Sequence, residues 1–149
     1  MILISHRGNI NGKQPNLENK PEYIQNAIKL GYNVEIDVWW FEDGFWLGHD
    51  NPTYKIDVTF LTTNGLWCHA KNMAAIVEME KLNKTLNFDI HYFWHQEDDC
   101  TLTSKNIIWV HPKTKPIKGT ISVLPEIQDQ DVSKCMGVCS DYIENYKND

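Results

Sequence analysis

The sequence predicts an α/β fold, a reduced (β/α) barrel of the TIM type with several crossover helices shortened or missing, as a single domain over residues 1–149. Three observations carry this expectation. Short stretches rich in β-branched and aromatic residues recur along the chain with strand-like patterning. Helical patterns separate some of them, and strand–helix–strand alternation implies parallel strands joined by right-handed crossovers. Finally, 149 residues divided among eight strands is about 19 each, far short of the ~250 residues typical of a full eight-fold barrel. After residue 85 the spacing leaves almost no room for complete helices. An open doubly wound sheet is the alternative architecture.

The elements follow in order. Ile2–Ser5 forms the first strand and runs into His6-Arg7-Gly8. Lys20-Pro21-Glu22 opens a helix on which Tyr23, Ile24, Ala27, Ile28 and Leu30 fall near helical spacing. Pro21 suits its first turn and Gly31 its C-terminal stop. Asn33–Trp40 is the second strand, turning through Glu42-Asp43-Gly44 into a third at Phe45–Gly48. Leu66–Ala70 follows, and Asn72 is placed to cap a helix beginning MAAIVEMEKLNK. Further strands are expected at Phe88–Trp94, Asn106–Val110, Thr120–Leu124 and Gly137–Ser140, with a short helix over Gln130–Met136. The six tryptophans lie in or beside strands, where core packing is their default role.

Composition narrows the function classes. A formal charge of −6 argues against a general grip on nucleic acid or an anionic membrane, although a local cationic site for a phosphate remains compatible with it. No apolar run approaches the ~20 residues of a membrane span. MILISHRG reaches a charge too soon for a secretory leader, which predicts a cytoplasmic protein. Cys68, Cys100, Cys135 and Cys139 form no CxxC pair, so free and mostly buried thiols are expected rather than a disulfide frame or thiolate zinc site.

Candidate site residues emerge from strand periodicity. Glu35 and Asp37 are two apart on one strand and must share a face. Two buried like charges side by side are costly unless a cation sits between them. Five of the six histidines, His6, His49, His69, His95 and His111, directly follow or end a strand pattern. In parallel α/β folds those strand ends form the ligand-binding rim. A loop carbonyl would explain any one of these histidines equally well, but not five in the same relation to a strand. His91 falls inside a strand pattern and is expected to pack. Trp67, His69 and Lys71 share a face, so Lys71 brings a fixed charge to the rim or forms a structural ion pair. Arg7 offers a planar donor fork suited to phosphate, and Gly8 allows close backbone approach.

Taken together, these motifs resemble the glycerophosphodiester phosphodiesterase family of the phosphatidylinositol-phospholipase-C-like superfamily. His6-Arg7-Gly8 matches its opening HRG, Glu18-Asn19 its PEN with Leu17 in place of proline, and Glu35/Asp37 its ExD. Asp43-Gly44 matches the hairpin turn, His49-Asp50 the HD motif, and Cys139-Ser140-Asp141-Tyr142 resembles the terminal TDYP. His69-Ala70-Lys71 stands where the family has ExK. The resemblance is clear from Leu3 to Asp50 and nearly absent over residues 72–136.

It implies metal-dependent hydrolysis of a small-molecule phosphodiester, most simply a glycerophosphodiester of lipid metabolism. His6 and His49 would be the catalytic acid and base, and Arg7 and Lys71 would bind substrate. Glu35, Asp37, His69 and Glu18 would hold the metal. The family's cofactor is Mg²⁺ or Ca²⁺, and a histidine in place of the third carboxylate tilts the site towards Mn²⁺ or Zn²⁺. In the family a substrate hydroxyl attacks first and water then opens a cyclic phosphate. The alternative function is a non-catalytic phosphate-ligand binding module on the same barrel. A zinc hydrolase built on clustered histidines ranks last, since no HExxH helix is present.

Overall fold

The computed structural model of the protein describes residues 1–147. Strand β1 (Ile2–His6) lies in the middle of a sheet, parallel to both β2 (Asn33–Phe41) and β10 (Gly137–Ser140). From β10 the sheet continues through β9 (Ile121–Val123) and β8 (Ile108–Val110) in parallel, and ends on an antiparallel β7 (Cys100–Leu102). On the other side, β2 pairs antiparallel with β3 (Gly44–Leu47), which pairs antiparallel with β4 (Tyr54–Ile56). Strand β2 also carries the parallel β5 (Leu66–Ala70), and β5 the two-residue β6 (Tyr92–Phe93). Two α-helices complete the regular structure of the described residues, α1 (Pro21–Lys29) and α2 (Met73–Leu86), with three short 3₁₀ turns.

This corrects the expected architecture. The fold is a curled, mixed ten-stranded sheet, a half-barrel, and neither a (β/α) barrel with alternating helices nor a doubly wound sheet. Among the described residues no strand pairing joins β6 to β8. A loop borders β6 instead, with the Ser104 N–H donating to the Tyr92 carbonyl (2.8 Å) and the Tyr92 N–H to Ser104 Oγ (2.9 Å).

The causes are local. The strand pattern at Phe88–Trp94 contracts because both backbone groups of Ile90 are taken by the Asn83 amide, at 2.9 Å each, rather than by a neighbouring strand. The helix expected over Gln130–Met136 does not form. There the Asp131 carboxylate accepts the Ser133 N–H (2.9 Å), a local turn that competes with helix, and a 3₁₀ turn at Pro125–Ile127 precedes it. Strands β4 and β7, which sequence patterning does not reveal, are each three residues long and stand at the two ends of the main strand order.

Other expectations hold. α2 begins where predicted, with Asn72 Oδ1 accepting the Ala75 N–H (3.0 Å). The same amide clamps both backbone groups of Trp40 and so ties the helix to β2. Glu42 and Asp43 both take positive φ in the β2–β3 turn, as a tight hairpin requires. All four cysteines are free, with Cys68 and Cys139 buried, Cys135 half-buried and Cys100 exposed.

Two apolar layers set the position of the site. On the outer face Val34, Ile36, Val38, Cys68 and Ala70 pack with Ile24, Ala27, Ala75 and Met79 of the helices. On the inner face Ile4, Trp67, Phe93, Trp109, Ile121, Val123 and Cys139 fill the concavity of the curl. Because strand side chains alternate, the residue two positions beyond an inner-face residue returns to the concave side. From Ile4, Trp67, Phe93, Trp109 and Cys139 that step leads to His6, His69, His95, His111 and Asp141. The histidines gather above this apolar floor for that reason. No helix of the described residues is long and apolar enough to cross a membrane.

Candidate metal centre and catalytic cavity

The register places His6 beside Glu35 and Asp37 beside His69 on adjacent parallel strands. Glu35 and Asp37 are 2% and 0% exposed, so their charges must be met inside the protein. His69 Nδ1 lies 3.4 Å from Glu35 Oε1 and 3.6 Å from Asp37 Oδ1. Its other nitrogen, Nε2, is 2.7 Å from the backbone carbonyl of His95. A carbonyl only accepts, so Nε2 donates to it and Nδ1 is the nitrogen turned towards both carboxylates. Three atoms able to ligate a metal converge there, all within 4.8 Å of one another.

Two further facts favour a cation there. Glu35 Oε2 and Asp37 Oδ1 are buried and have no hydrogen-bond partner. Moreover, among the described residues the carboxylates of Glu18, Glu35, Asp37 and Asp141 face two permanent cations of this interior, Arg7 and Lys71, while the exposed Lys13 lies 4.0 Å from Asp141. The donor set of Glu35, Asp37 and His69 therefore fits a divalent ion. Mixed oxygen and imidazole ligands suit Mn²⁺ or Zn²⁺ better than an all-oxygen set would.

Asp37 is held rigidly. Asn19 Oδ1 accepts its backbone N–H (2.9 Å) and Asn19 Nδ2 donates to its Oδ2 (2.8 Å). Arg7 Nε sits 2.9 Å from the same oxygen, and Lys71 Nζ 3.7 Å from Oδ1. Glu18 stands outside the three-ligand cluster: it takes Arg7 Nη1 (3.3 Å) and Asn9 Nδ2 (2.9 Å). Arg7 adopts φ +56° and Gly8 φ +95°, a turn that folds the guanidinium back over β2. A Cβ on Gly8 would lie 2.5 Å from the Tyr23 ring, which explains the glycine in HRG.

His6 is oriented from behind. Its Nδ1 lies 2.7 Å from Asp141 Oδ1, which also accepts from Asn9 Nδ2 (2.8 Å). A carboxylate partner makes Nδ1 the donor and leaves Nε2 facing Glu35 Oε2 at 3.8 Å. Burial works against the imidazolium, but the bond to Asp141 and the nearby Glu35 carboxylate outweigh it and raise the His6 pKa. Burial likewise opposes ionised Glu35, yet His69, His6 and Arg7 hold its pKa below the ordinary carboxylate range.

His49 comes from a separate segment. A Cβ on Gly48 would meet the Asn51 carbonyl at 2.1 Å, so glycine permits the bend after β3. His49 Nδ1 is 2.8 Å from Asp50 Oδ1, leaving Nε2 free. His6, Arg7, Glu35, His49 and His69 line one cavity of about 240 Å³ with His95, His111 and Trp109. Lys71 is not in its wall; it braces Asp37. Arg7 and His49 also border a neighbouring cavity of about 280 Å³, with Asn51, Thr53 and Tyr54.

Periodicity alone did not reveal the roles of Asn9, Asn19 and Asp141. For Asp141 the signal was its place one residue past the last strand, since β10 runs parallel to β1 with Ser140 opposite Ser5. His91 packs as expected, tilted against Trp67 with ring centroids 4.1 Å apart and bonded to Thr103 Oγ1 (2.7 Å), although it precedes β6 rather than lying within a strand. No protein-family model matches the chain, and no curated protein or solved structure is significantly similar to it.

Proposed function

We propose that the protein hydrolyses phosphodiesters of the glycerophosphodiester class with the help of a divalent cation. The observation that carries this reading is the shared cavity: two imidazoles from different segments, each with Nδ1 on a carboxylate, line one space beside the Glu35–Asp37–His69 cluster. A cation held by those three residues would draw charge from a non-bridging phosphoryl oxygen.

The chain's own residues divide the proton transfers. His6 Nε2 takes the proton of the attacking substrate hydroxyl, and Asp141 stabilises the imidazolium that results. His49, doubly protonated, gives its Nε2 proton to the departing alkoxide. Water then opens the cyclic phosphate with the two roles reversed, so one water is consumed and both imidazoles return to their starting states. Arg7 fixes Asp37 and Glu18 and contributes positive charge to the cavity wall. Trp109, Val123 and Leu124 supply an apolar surface beside the reacting groups.

A second reading has its own support. Arg7 stands in the cavity wall beside His6 and His49, where a phosphate-ligand binding module that works without turnover would also need a cation. The two are separated by assaying a glycerophosphodiester and an aryl phosphodiester with added Mn²⁺ or with EDTA, using wild type, His6→Ala and His49→Ala. Hydrolysis is expected only in wild type with metal. Equal, metal-independent rates in all three proteins would overturn the enzymatic reading.

A further inference from the structure

Two of the histidines at the cavity are left unused by this chemistry. His95 and His111 meet edge to face, with ring centroids 5.6 Å apart, and both line the cavity together with Gln96, Trp109, Pro112, Val123 and Leu124. Their backbone partners settle which nitrogen of each carries the proton. His95 Nε2 lies 2.7 Å from the Asp98 carbonyl, which can only accept, so Nε2 donates and Nδ1 keeps its lone pair. His111 Nδ1 receives the Lys113 N–H at 3.2 Å, so its proton sits on Nε2. One imidazole is thereby set as an acceptor and its neighbour as a donor, and neither needs to be charged.

We infer that His95 and His111 form a hydroxyl-recognition subsite, an acceptor and a donor placed to hold an uncharged alcohol group of the substrate against the apolar wall of Trp109, Val123 and Leu124. This rests on the phosphodiesterase reading for the phosphate end of the cavity. A hydroxyl is the smallest group that both donates and accepts, so it satisfies the two nitrogens at once. A quaternary ammonium group does neither, and nothing in this half of the wall supplies a carboxylate for it. Selectivity for a polyol end over an alkyl end follows, because an alkyl group lying over the two nitrogens would displace water from them and offer no hydrogen bond in return.

The test compares glycerol 3-phosphate with propyl phosphate, which lacks the two hydroxyls, by tryptophan fluorescence or amide chemical shifts with Mn²⁺ present. Wild type is expected to bind glycerol 3-phosphate about tenfold more tightly, the worth of one to two added hydrogen bonds. His111→Phe, at a half-buried position that tolerates an aromatic ring, is expected to abolish the difference while binding propyl phosphate as wild type does. His95→Phe is the second variant, and circular dichroism checks that both fold. Equal affinities for the two phosphates in wild type would overturn the subsite and leave the phosphate reading standing. Failure of both ligands to bind would overturn both. A preference that survives in His111→Phe and His95→Phe would assign it to other residues and sink the proposal.

Discussion

His6 and Asp141, at opposite ends of the chain, are joined by a 2.7 Å hydrogen bond above the inner face of the sheet. The bond exists because β10 closes against β1 in parallel, and each strand places its next inward-facing residue at the same level. Burial raises the Asp141 pKa, but its bonds to His6 and Asn9 outweigh this and lower it, so the residue is an anion behind the imidazole. If His6 is a base, Asp141 selects its tautomer.

Asp141→Asn should therefore keep the fold and lose most of the rate. An amide can orient the wrong ring nitrogen, and a comparable exchange behind a catalytic histidine costs about 10⁴ in kcat. Steady-state kinetics on a phosphodiester, with kcat and KM separated, provide the check. A change confined to KM would show that Asp141 does not act through His6.

Divalent ions should stabilise the protein through Glu35, Asp37 and His69. A ligand at a hundredfold excess over its Kd adds about 2.7 kcal/mol to folding stability, several degrees in Tm. Mn²⁺ and Zn²⁺ are expected to raise Tm more than Ca²⁺ does. His69→Asp should reverse that order, and Glu35→Gln should remove the response. An unchanged Tm in wild type with all three ions would eliminate the metal centre.

Acid should weaken the fold through His91. Burial lowers its pKa to about 4, with Lys105 adding to the effect. The unfolded chain takes up this proton near pH 6.5, whereas the folded one resists until about 4. Between those values the unfolded state binds more protons, so this contribution is complete above about 6.5 and lost as pH falls towards 4. In urea unfolding over that window, wild type should lose stability faster than His91→Gln, by at most about 1.4 kcal/mol per pH unit. Parallel pH profiles for the two proteins would show that His91 protonates as easily folded as unfolded.

Gly8→Ala should destabilise the protein by about 1–3 kcal/mol. The new methyl group must adopt φ +95° and would press on the Tyr23 ring. Thermal unfolding of Gly8→Ala beside Gly31→Ala is informative, because Gly31 has φ +93° with nothing within 4 Å of an added Cβ. The smaller loss at Gly31 isolates the steric part at Gly8, and equal losses would mean the Tyr23 contact is inconsequential.

Much of the site follows from period-two geometry, which acts within a single strand and needs no partner. Spacing alone put Glu35 with Asp37 and His69 with Lys71, and the sheet then brought all four to one place. Asn72 as a cap, the Asp43-Gly44 turn and the free cysteines are equally local properties. What local pattern does not encode is which strands become neighbours. The bond between His6 and Asp141, the bracing of Asp37 by Asn19, and the tautomers of His69, His95 and His111 all depend on chain segments brought together in space. The open sheet was likewise decided at the tertiary level. Asn83 takes the backbone of Ile90, Asp131 turns the chain where sequence patterning predicts a helix, and only two α-helices among the described residues accompany the strands. Side-chain alternation is a property of the backbone, whereas closure depends on how segments far apart compete for the same hydrogen bonds.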